Sequence, residues 1–171
     1  MEDRKISIWI DGYDDLFSDF DSRPYSDRAL SDDFTGELRK VCQETNELIS
    51  ELKLELPGGI RKVEEEAVIT KRLNNHIKKN LHHYTMAIDK IKKRGIVFLV
   101  LGFLLMIIVS YLSISKIQLW AVNITLVVFE PAGWFLVWAG FDMLFYSSKH
   151  DRTELDFYHK LSKTKILFGS N

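Results

Sequence analysis

The chain has 171 residues with 23 lysines and arginines, 24 aspartates and glutamates, and a single cysteine, which excludes an internal disulfide. Its net charge of −1 is a cancellation: residues 1–59 carry 7 basic and 15 acidic side chains (net −8), 60–94 carry 10 and 4 (net +6), 95–146 carry only Lys116, Glu130 and Asp142 (net −1), and 147–171 carry 5 and 3 (net +2). A charge-poor block beside a basic one excludes an evenly solvated globule and is the pattern of a membrane segment with its juxtamembrane flank.

The N-terminus, MEDRKISIWIDG, has no basic stretch followed by a long apolar one, so it does not read as a signal peptide. Within it, RKISIWIDG alternates: Ile6, Ile8 and Ile10 fall on one side, Lys5, Ser7, Trp9 and Asp11 on the other, which predicts a half-buried strand. The following IDGYDDLFSDFDSR gathers Asp11, Asp14, Asp15, Asp19 and Asp21. Carboxylates at a strand's end bind Mg²⁺ or Ca²⁺ in some folds, but this spacing is not that of an EF-hand loop, and a solvated acidic loop is the expectation. SRPYSDRALS then offers Arg23, Tyr25 and Arg28 as a partner or ligand loop, or as a connector whose Tyr25 and Leu30 plug a small core.

Ser31 reads as an N-cap with Asp32 and Asp33 in the first turn. Phe34, Leu38, Val41, Thr45 and Leu48 recur at helical spacing behind it, with Cys42 on the apolar side as a small buried hydrophobe. ELKLELPGG alternates again, with Leu52, Leu54 and Leu56 inward and Pro57-Gly58-Gly59 as the stop.

Ile69, Leu73, Ile77, Leu81, Tyr84, Ile88 and Ile91 then mark a second helical pattern that no proline or glycine breaks before Gly95. A single helix from about residue 61 to about 113 would be on the order of 80 Å long and would couple a cytosolic domain stiffly to a bilayer. On it, His76, His82 and His83 read with Arg72 as a wet face, one residue short of an arginine–histidine ribonuclease spacing. Lys92, Lys93 and Arg94 read as contacts to anionic lipid headgroups, and no nucleic acid is expected.

GIVFLVLGFLLMIIVSYLSIS, Gly95 to Ser115, is free of charge and long enough to cross a bilayer. A second apolar run begins near Ile117 or Leu119 and ends near Tyr146, so the turn around Ser115-Lys116 forces an antiparallel hairpin. Basic residues flank its open end, Lys92, Lys93 and Arg94 before and Lys149 and Arg152 after, which predicts a multi-pass bacterial inner-membrane protein with both termini cytoplasmic. The sequon Asn123-Ile124-Thr125 falls in or near the second run and is taken as chance. In the tail, Leu155, Tyr158 and Leu161 share a helix side, and Lys165 to Phe168 forms a short strand able to join the first two.

The expected fold is therefore an α+β membrane protein: a small βαβ-type cytosolic domain plus a transmembrane helical hairpin whose first span continues a long cytosolic helix. Its divisions are 1–94, a hairpin at 95–146, and a tail at 147–171 that completes the soluble domain. A three-strand core is small, and cores of that size commonly need oligomerisation.

The costly residue is Glu130, mid-way along the second span. Asn123 lies two turns earlier on the same side and Val137 continues the stripe. Pro131 removes one backbone donor and frees the carbonyl of Val127, while Gly133 and Gly140 permit close approach of another helix. Asn123, Glu130 and Pro131 thus form either the wall and gate of an oligomeric pore or a hydrogen-bonded contact between helices.

With IDGYDDLFSDFDSRPYSDRALSDDF near the start and EPAGWF in the second span, the chain resembles small bacterial two-span membrane proteins. In architecture it is also similar to transmembrane effectors of anti-phage defence. That resemblance implies a cytosolic sensing domain driving an oligomeric, channel-forming membrane module. The partners it implies are the lipid bilayer, further copies of the chain, and a cytosolic protein or small ligand. The alternative is a membrane-tethered scaffold or adaptor without a pore. No nucleophile–base pair, metal ligand set or cofactor motif stands out, so the expectation is no enzyme, no metal and no cofactor.

Overall fold

The computed structural model describes residues 4–44, 49–115, 120–146 and 149–170. In chain order the elements are β1 (Arg4–Trp9), a 3₁₀ turn (Tyr13–Leu16), α1 (Asp32–Glu44), β2 (Ile49–Leu56), α2 (Val63–Ile114), α3 (Trp120–Phe145), α4 (Lys149–Ser162) and β3 (Lys165–Ser170). They divide into two compact units. The first is Met1–His83 with Glu154–Asn171, and the second is Tyr84–Thr153. The boundaries fall inside α2 and α4, not at residues 94 and 146 where the hydropathy changes.

The first unit is a three-stranded sheet of order β1-β2-β3 in which both pairings are parallel. The register puts Ile6 beside Leu52 and Leu52 beside Ile166, then Ile8 beside Leu54 and Leu54 beside Phe168. The alternation in each strand thus builds one apolar face. Leu52, Leu54 and Leu56 are fully buried on the central strand. Phe34 and Leu38 of α1, Leu73 and Ile77 of α2, and Phe157 and Leu161 of α4 close around the same core. The space left among them is about 20 Å³, room for no more than a single water. On the opposite face Lys5, Ser7, Trp9 and Lys53 are exposed. Parallel sheets are generally covered on both faces, so this one departs from the rule.

Local chemistry explains the ends of α1. The Ser31 hydroxyl accepts the Phe34 backbone N–H at 3.4 Å, as an N-cap does. Asp32 and Asp33 follow in the first turn. Cys42 is buried, and burial pushes its thiol up to about 11, so it packs as a hydrophobe. Thr45 and Leu48 lie outside the described residues. Arg39 of α1 reaches Glu154 of α4: its Nη2 donates to Oε2 at 3.1 Å, while Nε lies 3.1 Å from Oε1 without being aimed at it. Glu154 is buried, and the Arg39 guanidinium also lies 5.2 Å from the centre of the Phe157 ring.

One reading of α2 is corrected. His76 is not on a wet face. It is half-buried, lines the core cavity and lies 6.2 Å from the Tyr158 ring, whereas His82 and His83 are exposed. Arg72 points its donors back to the loop, Nε to the Arg28 carbonyl at 2.9 Å and Nη2 to that of Asp27 at 3.4 Å. The arginine that suggested ribonuclease chemistry is a loop anchor.

Candidate functional site in the apolar hairpin

The second unit is built on two helices long and apolar enough to cross a membrane, within Val63–Ile114 and Asn123–Phe145. Only 17% of the apolar window in each is covered by the chain itself, so neither is a core helix of this fold. The turn at Lys116 lies outside the described residues.

The two helices touch through glycine. Gly95 and Gly102 are seven residues apart on α2, and Gly133 and Gly140 are seven apart on α3, so each pair occupies one helical face. Gly95 meets Gly140 and Gly102 meets Gly133, which makes the pair antiparallel. A Cβ on Gly140 would stand 2.7 Å from Leu99 Cγ and 2.8 Å from the Gly95 carbonyl oxygen. A Cβ on Gly102 would stand 2.9 Å from the backbone nitrogen of Val137. There is no room for any side chain at these points, and the close approach of the backbones is what holds apolar helices together in an apolar solvent. Val109 and Val137 are buried in the same seam.

This geometry redraws the polar stripe. Val137 does not continue it, because it packs against Gly102. Asn123 and Glu130 are exposed and lie outside the glycine contact. Among the described residues neither has a hydrogen-bond or ion-pair partner. α3 continues through Pro131. Val127 has 72% of its surface exposed, and Trp134, Phe135 and Trp138 are exposed beyond it. At the end of α3 the Arg152 guanidinium donates to the Leu144 carbonyl at 2.8 Å, a cation capping the negative end of a helix. Lys92, Lys93 and Arg94 are exposed on α2.

The second candidate, the loop from Asp11 to Leu30, is held by its own charges. Arg28 Nη1 donates to Asp14 Oδ1 at 2.6 Å and Arg28 Nε to the Ser18 carbonyl at 3.2 Å, while the Tyr25 hydroxyl donates to the same Asp14 oxygen at 3.2 Å. The Arg23 guanidinium clasps both oxygens of Asp21, whose carboxylate also accepts the Ala29 N–H at 2.7 Å and is held well below the usual carboxylate range, first by Arg23. Asp15 accepts the N–H groups of Asp11 and Gly12. Tyr25 stacks on buried Phe17 at 5.2 Å. Arg23, Tyr25 and Arg28 thus each make hydrogen bonds within the loop.

Beside it lies a cluster absent from the sequence expectations. The Tyr13 hydroxyl donates to Glu66 Oε1 at 3.1 Å and accepts the Lys62 N–H at 2.9 Å, and Arg61 forks onto both Glu66 oxygens at 2.8 and 3.0 Å. Burial raises the Tyr13 phenol, and the Arg61 hydrogen bond holds Glu66 below its ordinary value. The cluster ties the 3₁₀ turn to the start of α2. The only hint in the sequence was the arginine five residues before the glutamate.

Among the described residues no three histidine, cysteine or carboxylate side chains stand close enough to hold a metal. In comparisons with known proteins, no family model, no curated protein and no solved structure matches this chain.

Proposed function

We propose that the protein is an oligomeric integral membrane effector. Hairpins of several copies gather in the bilayer around a channel, and the α/β unit, in the cytosol, responds to a ligand or protein partner. The reading rests on one observation: Glu130 stands mid-span, exposed and outside the glycine contacts, with no hydrogen-bond or ion-pair partner among the described residues. A charge at the centre of a bilayer costs about 3 kcal/mol on insertion scales. Facing lipid is its least favourable position. Another copy, or water at a shared axis, supplies what its own hairpin does not. Two helices cannot enclose a pore, so a channel requires several copies. By the positive-inside rule, Lys92, Lys93, Arg94 and Arg152 support a reading with both termini in the cytosol and the first three against anionic headgroups.

Mass measurement in detergent comes first, and a monomer overturns the proposal. Ion flux into liposomes is then compared in Glu130→Gln and Glu130→Leu, with oligomer mass measured for both. The channel requires Gln to preserve the mass and alter the flux. Unaltered flux in Gln with a broken oligomer in Leu removes Glu130 from the pore wall and leaves it as a contact between copies, whereas no flux from an intact oligomer leaves a membrane scaffold.

A further inference from the structure

We infer that the exposed stripe of α3 is a binding site for monovalent cations, made of three kinds of oxygen; the inference rests on the channel reading above. Asn123, Val127 and Glu130 stand at i, i+4 and i+7, on one side of α3. All three are exposed and none lies in the glycine seam. Asn123 brings an amide oxygen and Glu130 a carboxylate.

Val127 brings its backbone. In an unbroken helix its carbonyl would accept the N–H of residue 131, but residue 131 is proline, which has none. The carbonyl of a helical residue points toward the residue four ahead, so this oxygen is directed to the level of Glu130. Proline therefore adds a carbonyl dipole next to a carboxylate at one height in the span.

Amide, carbonyl and carboxylate oxygens are hard donors, the set that replaces the hydration shell of an alkali cation. Nothing in the span favours an anion: residues 95–146 contain one basic side chain, Lys116, at the turn. Repeated around an axis, the stripe forms a carboxylate–carbonyl ring and an amide ring, about 10 Å apart along the helix. Two rings at that separation let an ion leave one as another enters.

The experiment is the reversal potential of full-length protein in planar bilayers, under a potassium chloride gradient and then with potassium opposed to sodium, with oligomer mass recorded for each variant. Wild type is expected to pass cations over chloride. Glu130→Gln is expected to lower the cation-over-chloride ratio about tenfold. Pro131→Ala returns an N–H to the Val127 carbonyl and keeps the carboxylate. It is expected to shift the potassium-over-sodium ratio about threefold with the cation-over-chloride ratio unchanged. Current without cation preference, or preference that Glu130→Gln leaves intact, overturns the cation site and leaves the channel standing. An unchanged potassium-over-sodium ratio in Pro131→Ala overturns the carbonyl's part. No current from an intact oligomer overturns the channel and this site together.

Discussion

The two units satisfy their parts in opposite ways. In the α/β unit almost every costly group has found a partner in the same chain: buried Glu154 has Arg39, buried Glu66 has Arg61 and Tyr13, and the loop carboxylates have Arg23 and Arg28. Its apolar side chains meet around one core. In the hairpin unit the two long helices meet along the glycine seam. The wide apolar surface and the one mid-span carboxylate are left facing outward. One unit is self-sufficient, and the other exposes two helices long and apolar enough to cross a bilayer.

Three changes sharpen this contrast. The largest effect is expected in the seam. Gly140→Leu forces a branched side chain against the Gly95 carbonyl and Leu99, and overpacking of this kind costs about 3 kcal/mol. The hairpin should separate at lower SDS in mixed micelles, followed by tryptophan fluorescence. The labelling rate of Cys42 by a thiol reagent should stay as in wild type, because the sole cysteine is buried in the other unit. Equal loss in both readouts would mean the units are not independent.

Glu154→Leu reverses the pattern. It strands the Arg39 guanidinium, a third of whose surface is already exposed, so the penalty is about 2 kcal/mol, below that of breaking a fully buried pair. Cys42 labelling should accelerate more than tenfold while the SDS midpoint holds.

The smallest effect is a slope. Burial, then the charges of Arg72 and Lys79, push His76 below its ordinary value of 6.5. The fold prefers the neutral ring, so this group's contribution is complete above about pH 6.5 and is lost as pH falls from there through the lower folded value. Between pH 7 and pH 5 the thermal midpoint of the α/β unit should fall less in His76→Leu than in wild type. The Glu66 carboxylate, held down by Arg61, contributes its own loss only at more acidic pH. Parallel pH profiles would mean that His76 titrates alike in the folded and unfolded states.

Much of the fold was legible because period carries it. Alternation marked β1 and β2, and the spacing from Ile69 to Ile91 marked a helix that indeed runs without a break into the first apolar stretch. What period does not carry is which faces meet. The glycines at 95, 102, 133 and 140 show their sevenfold spacing openly, yet only the antiparallel pairing reveals that they consume the side of α3 where Val137 lies. The same gap hid His76, since a polar ring at a helical position next to Leu73 and Ile77 turns inward only when α4 arrives to cover it. Tyr13 and Glu66 are 53 residues apart, and nothing local couples them. The polar atoms of the hairpin were visible for the opposite reason: in so apolar a stretch, Asn123 and Glu130 have no background to hide in.

The position of β3 also sets a schedule. β2 pairs on one side with β1, made before it, and on the other with β3, which follows both long helices. Both long apolar helices are synthesised between the two partners of that one strand. Until both helices and β3 have been made, the second edge of β2 stays open, presenting unpaired N–H and C=O groups beside the most buried leucines of the fold. Closure of the sheet thus certifies that the hairpin has been made. A nascent chain stalled within the hairpin, or truncated before Lys165, carries a sticky strand edge that proteases and chaperones can read as unfinished.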